Sequence, residues 1–238
     1  MRFPDPLMRG RLLRRYKRFL SDIELLEGPE RGAVVTAHCA NPGAMLGLDR
    51  PDSEVWLSPA RNPARKLRYS WELVRVDGHL VGINTLNPNA IVAEAIAEQR
   101  VAPLTGYASL RREVRYGRAS RVDVLLESPD RPPCYVEVKN VHLKRAAAAA
   151  FPDSVTARGA RHMAELAARA EAGDRAVVLF LVQRGDCDHF TVAADIDPTY
   201  AAAFDDARAR GVEALCYACN VSREAIVLER ALPLTGHA

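Results

Sequence analysis

The segment from Arg121 to Lys139 constrains the fold more than any other. It reads Arg121-Val122-Asp123-Val124-Leu125-Leu126, then a break, then Tyr135-Val136-Glu137-Val138-Lys139. Both ends alternate apolar and polar side chains, the period of a strand with one covered face. Ser128, Pro129, Asp130, Pro132 and Pro133 interrupt the pattern between them. The spacing predicts a β-hairpin. Glu137 and Lys139 then share a face, with Val136 and Val138 on the other. Cross-strand pairing brings Asp123 beside them. Two carboxylates converging in a partly buried place repel unless a cation lies between them. Mg2+, or Mn2+ in its place, suits such a pair together with substrate phosphates. The same residues also suit a half-exposed strand carrying a cross-strand ion pair, because the motif is short.

This D…E-x-K arrangement resembles the core of the PD-(D/E)xK nucleases. In that likeness Asp123 and Glu137 hold the metal, joined by the carbonyl of Val138, and Lys139 orients or deprotonates a water. Cores of this kind often carry an extra acid on the preceding helix. Ala90–Arg100 has a helical pattern with Ile91, Ala95 and Ile96 on one side, and Asn89 is a good N-cap. Glu94 lies inside that helix and is the candidate helper, although it and Glu98 also suit a surface.

The charge is unevenly placed. The net value is only +3 over 238 residues. Yet Arg2, Arg9, Arg11, Arg14, Arg15, Lys17 and Arg18 stand against Asp5 alone before residue 19, with Tyr16 and Phe19 among them. Cations meet phosphates and rings stack on bases, so such a strip suits nucleic acid, DNA first and RNA as well. It also suits a solvated face. Leu12–Leu26, Val34–Cys39 and Glu54–Leu57 read as strands. Arg68–Val76 and His79–Ile83 read as a hairpin across Asp77-Gly78. Many short strands with turns predict a five-stranded OB-like barrel over residues 1–83. Arg65 and Lys66, in a predicted loop with Arg61 and Arg68, join Arg14, Arg15, Tyr16, Lys17 and Arg18 as candidate DNA contacts.

From residue 84 the style changes. Leu110–Tyr116 is the next strand, followed by the Asp123 and Glu137 hairpin and an alanine run, Ala146–Ala150. Asp153 or Ser154 caps a helix running to about Ala172, with Gly173 ending it. Val155, Met163, Leu166 and Ala170 form its apolar side. Arg158, His162 and Glu165 share another face. Arg158 and His162 are candidates to meet phosphate, or else the outer face of an ordinary amphipathic helix. Ala176–Val182 is a continuous apolar run, as for a strand covered on both faces. Asp197-Pro198 opens another helix, and Val212–Val221 and Ala225–Leu228 are terminal strands. The pattern predicts an α/β layered domain over residues 84–238.

No apolar run approaches the ~18 residues of a membrane helix, so no membrane partner is expected. The first residues lack the apolar core of an export signal. Five irregularly spaced cysteines then read as reduced thiols in the cytoplasm. Cys216-x-x-Cys219 with Cys187 and His189 has the makings of a zinc set. Three residues apart on a strand means opposite faces, so buried thiols are the better expectation.

Several blocks together resemble the sugar fermentation stimulation protein A family, end to end. They are Arg15-Tyr16-Lys17-Arg18-Phe19-Leu20, His38-Cys39-Ala40-Asn41-Pro42-Gly43-Ala44-Met45, Ser120-Arg121-Val122-Asp123, Cys134-Tyr135-Val136-Glu137-Val138-Lys139, and Phe151–Gly159 with His162. The resemblance implies an OB-like domain followed by a PD-(D/E)xK restriction-endonuclease-like three-layer domain. It implies DNA binding without sequence preference and a part in regulating sugar (maltose) metabolism. Asn140-Val141-His142 and Ala157 depart from the family's usual residues, without touching Asp123, Glu137 or Lys139. Two readings follow: a Mg2+-dependent nuclease, or a non-catalytic DNA-binding regulator on a nuclease fold. A weaker third is an enzyme for a small phosphorylated metabolite.

Overall fold

The computed structural model of the chain describes residues 1–116 and 120–237. Ala238, the last residue of the expected second domain, lies outside them. The first half is built from β1 (Met8–Tyr16), β2 (Leu20–Leu25), β3 (Val34–His38), β4 (Glu54–Pro59), β5 (Tyr69–Val76) and β6 (His79–Gly82). The single strand expected over Leu12–Leu26 is two. Lys17 and Arg18 take left-handed backbone, with φ of 49° and 62°, and turn the chain back on itself so that Tyr16 pairs with Leu20.

Pairing runs β1 with β2, β2 with β3, β3 with β5, β5 with β4, and β4 back to β1. That ring closes a five-stranded barrel in the OB order, and β3 and β5 meet parallel through His38 and Ser70. Closure removes the sheet edges. Leu12, Ile23, Leu25, Val55, Leu57 and Trp71 fill the interior. β6 continues from β5 through Asp77-Gly78, both with positive φ, as the Asp-Gly turn requires.

The second half is layered. A six-stranded sheet has the order β15 (Ile226–Ala231), β14 (Glu213–Val221), β12 (Arg175–Val182), β9 (Arg131–Val141), β8 (Ser120–Ser128), β7 (Ser109–Tyr116). β7, β8 and β9 form an antiparallel meander, while β9, β12 and β14 run parallel. The apolar run on β12 explains the layers. Val177, Leu179 and Leu181 pack toward α1 (Pro88–Ala97) with Ile91, Val92 and Ile96. Val178, Phe180 and Val182 pack toward α2 (Ala157–Glu171) and α3 (Pro198–Ala209) with Met163, Leu166 and Phe204. Period-2 alternation thus feeds two cores. Each fully buried Leu, Val or Phe contributes roughly 1.5–3 kcal/mol.

Cys216 and Cys219 fall in opposite cores, and all five cysteines are buried and unpaired. Among the described residues no three His, Cys, Asp or Glu side chains converge as a preformed metal cage. No helix of the described residues is long and apolar enough to cross a membrane.

Some caps differ from expectation. The N-cap of α1 is Asn87, not Asn89, because Pro88 takes the first helical position. The N-cap of α2 is Thr156, whose hydroxyl accepts from Gly159 N at 3.1 Å; neither Asp153 nor Ser154 caps it. Val155 precedes that helix and is 75% exposed. Asp197 caps α3 as expected, accepting from Tyr200 N. A small sheet absent from the sequence reading joins β10 (Leu143–Arg145), β11 (Ala148–Phe151), β13 (His189–Val192) and β16 (Leu234–His237).

Candidate functional site

The β8–β9 hairpin has Val124 opposite Val136, so Asp123 and Glu137 lie side by side. The valines carry the strand into the α1 core. Asp123 Oδ2 accepts from the Val138 amide at 2.7 Å. Its Oδ1 accepts from Asn89 Nδ2 at 2.8 Å. Burial, and then the neighbouring Glu137 charge, push the Asp123 carboxyl up to about 6.

Glu137 lies deeper, with its side chain 3% exposed. Burial pushes it up, but the His162 hydrogen bond and the Lys139 ammonium overcome that and hold it below the usual range. Lys139 Nζ donates to Glu137 Oε1 at 2.9 Å. His162 Nδ1 is hydrogen-bonded to the same oxygen. Arg158 Nε donates to His162 Nε2 at 3.2 Å, which puts the imidazole proton on Nδ1, toward Glu137. Glu137 Oε2 is buried and has no hydrogen-bond partner among the described residues.

Asp123, Glu137, Lys139, His162 and Arg158 are therefore gathered in one place. Glu94 is not: its carboxylate meets the Met1 ammonium at 2.7 Å and Arg100 at 3.7 Å. The α1 side chain that does reach the carboxylates is Asn89. It also donates to Glu113 Oε1 at 2.9 Å. Glu113 sits at φ 54°, in a step of β7 where Arg112 pairs with Val124 and Val114 with Val122. Sequence reading missed both. Asn89 reads in the sequence as a helix cap, and one left-handed residue inside an otherwise regular strand leaves no periodic mark.

The N-terminal cations are mostly engaged. Arg9 pairs with Glu54, Arg11 with Glu24 and Asp52, and Arg14 with Asp22. Arg14 also lies over the Tyr16 ring, whose hydroxyl donates to Asp22. Arg15 differs most from a phosphate contact. Its side chain is 9% exposed, and its guanidinium donates to the carbonyls of Asn41, Gly43 and Arg18. It clamps a loop. Lys17, Arg18, Arg65 and Lys66 are exposed.

A cleft of about 680 Å³ opens between the barrel and the layered domain, lined among others by Arg18, Asn41, Asn140, His142 and Asp153. A polar chain crosses beneath it. Gln183 donates to Asn140 at 2.6 Å, Asn140 meets His142 at 3.1 Å, and His142 meets Asp153 at 3.1 Å. Asp153 Oδ2 then accepts from the Met45 amide of the barrel at 3.0 Å. Asn140 directly follows Lys139 on β9, so their side chains leave the strand on opposite faces, and Asp123, Glu137 and Lys139 are not among the residues lining the cleft.

Known proteins match this chain in sequence and fold. Residues 13–83 match the model described as the SfsA N-terminal OB domain, and residues 86–225 match the sugar fermentation stimulation protein RE domain. A sugar fermentation stimulation protein homolog of Paramagnetospirillum magneticum is 58% identical over 99% of this chain and 97% of its own length. Another, from Rhodospirillum centenum, is 57% identical over 99% of this chain and 100% of its own. The solved structure of Pyrococcus furiosus SfsA in complex with Ca2+ superposes with a TM-score of 0.88 at 26% identity, covering 99% of this chain and 98% of that one. With barrel, layered domain and sequence matched along nearly the whole length, the chain belongs to the sugar fermentation stimulation protein family.

Proposed function

We propose that this chain binds DNA and hydrolyses its phosphodiester bonds at a site that takes Mg2+ or Mn2+. The observation that carries the reading is Glu137 Oε2, a carboxylate oxygen buried with no partner among the described residues beside a second carboxylate pushed up to about 6. Buried charge without a partner is costly, and a cation would offset both. The donor set fits a hard cation, since Asp123, Glu137 and the Val138 carbonyl offer oxygen alone. A Ca2+ complex of the Pyrococcus furiosus relative supports the same chemistry here.

When bound, the ion would supply charge against the phosphoryl oxygens and a water of lowered pKa. The chain's own residues do the rest. Lys139, 11% exposed beside Glu137, would offer its ammonium to the water or to a phosphate oxygen. His162 keeps Glu137 ionised and oriented, and Arg158 fixes the His162 tautomer. All five cysteines being buried and unpaired fits a reducing cytoplasm.

A second reading is a DNA-binding regulator of sugar (maltose) metabolism without turnover. It draws on the Lys139 ammonium, which is already engaged by Glu137, and on the relatives' description. Purified protein incubated with duplex DNA, single-stranded DNA and RNA, with Mg2+ or Mn2+ and beside Glu137→Ala, decides between them. Metal-dependent cleavage lost in the variant supports the enzyme. Binding without cleavage on every substrate selects the regulator.

A further inference from the structure

Most of the cations that the sequence concentrates near its N-terminus are neutralised or held within the fold. The N-terminal strip spends Arg9, Arg11, Arg14 and Arg15 on carboxylates and carbonyls. On the edge hairpin of the layered domain the balance is different. Arg115 and Arg121 are exposed, and neither makes an ion pair or hydrogen bond among the described residues. The acids nearest in the chain are already engaged: Asp123 by Asn89 and the Val138 amide, Glu127 by Arg111, and Glu113 by Asn89.

Arg115 and Arg121 are also directly opposite each other in the β7–β8 register. Like charges in that relation destabilise a sheet. A bound anion turns the same pair into a bidentate grip. Arg121 is two residues before Asp123 on β8, about 6–7 Å along the strand. One strand of nucleic acid can touch both.

Resting on the reading that the carboxylate site acts on DNA, we propose that Arg115 and Arg121 form the phosphate-backbone grip of this protein and lead a phosphodiester to Asp123 and Glu137. Contacts to phosphate alone read no bases, so the grip is indifferent to sequence. Lys17 and Arg18 on the barrel turn are then a lesser contact.

The test is fluorescence anisotropy of a short labelled DNA duplex over a range of NaCl concentrations. It compares the wild type, the double variant Arg115→Gln, Arg121→Gln, and the barrel pair Lys17→Gln, Arg18→Gln. Two lost phosphate contacts should flatten the log–log salt slope by about 1.5–2 and lower affinity at least tenfold at low salt, for every duplex sequence alike. The barrel pair should change the slope by less than about 1. A double variant with the wild-type slope, or a barrel pair that flattens it more, overturns the grip and leaves the nucleic-acid reading standing. A wild type with no salt-dependent DNA binding overturns both. Folding is followed by thermal melting, and the Mg2+-induced rise in Tm should survive in the double variant. The single variant Arg115→Gln gives an independent check. Removing the like-charge pair should raise Tm in low salt and not in high salt; an unchanged or lowered Tm in low salt counts against the grip.

Discussion

Asn89 Nδ2 lies 2.8 Å from Asp123 Oδ1 and 2.9 Å from Glu113 Oε1, so one amide restrains two carboxylates. The helix thus contributes a donor where an acid had been expected. That donor favours the ionised form of Asp123 and opposes burial. Asn89→Ala should therefore raise the Asp123 pKa above about 6, by roughly 1 from the loss of a charge-assisted hydrogen bond. Carboxyl-carbon NMR titration reads it directly. A lower value would mean that Asn89 does not stabilise the charge.

The same carboxyl sets a pH dependence of stability. Its folded pKa is raised from an ordinary 3.8 to about 6. A raised acid binds its proton more tightly when folded. Its contribution is complete below the unfolded value and is lost as pH rises through about 6. Near pH 7.5 without divalent ions the cost is roughly 3 kcal/mol. Asp123→Asn removes it but loses one hydrogen bond of about 1 kcal/mol, because one amide oxygen cannot serve both Val138 and Asn89. The variant should gain about 2 kcal/mol at pH 7.5 and little at pH 4.5. Urea melts at the two pH values test this, and a variant less stable at pH 7.5 contradicts it.

Divalent ions should stabilise the folded chain through Glu137. Binding to the folded state alone adds about 2.7 kcal/mol at a hundredfold excess over Kd. Glu137→Gln keeps the shape and removes the charge, so the Mg2+- or Mn2+-induced rise in Tm should vanish with cleavage. Duplex DNA binding should survive. A variant that retains the metal-induced shift places the ion elsewhere.

Arg15 is expected to matter for stability before it matters for DNA. Its guanidinium serves the carbonyls of Asn41 and Gly43 at 2.9 Å each. Arg15→Met should cost about 2–3 kcal/mol by leaving them unserved and leave the salt slope of DNA binding unchanged. A slope lowered by about 1 with normal stability would return Arg15 to the phosphate contacts.

The parts legible in the sequence are those with a period. Alternation on both sides of the Ser128–Pro133 break marked the hairpin and put Asp123, Glu137 and Lys139 together. The Asp77-Gly78 turn and the unbroken apolar run on β12 were equally plain. Tertiary choices left no local trace. Asn89 and Glu94 both project from α1, and only packing decides which one reaches Asp123. The barrel's cations looked available because their partners, such as Glu54 and Asp52, are distant in sequence. The alanine run gave no period, and Ala148–Phe151 became a strand through pairing with the distant His189–Val192.

The seam between the two domains offers the sharpest steric test. A Cβ on Gly43 would lie 2.5 Å from Asp153 Oδ2 and 2.7 Å from its Oδ1. Asp153 cannot swing away cheaply, since Oδ2 holds the Met45 amide and His142. The Gly43 carbonyl is in turn held by Arg15. Gly43→Ala should therefore cost about 2–3 kcal/mol, by displacing a half-buried carboxylate from its donors. If the clash with Asp153 is the cause, the cost depends on that side chain. In a double-mutant cycle, Gly43→Ala added to Asp153→Ala should cost less than 0.5 kcal/mol further, a coupling of roughly 2 kcal/mol. Additive losses would mean that Gly43 is required for its backbone and not for the carboxylate it abuts.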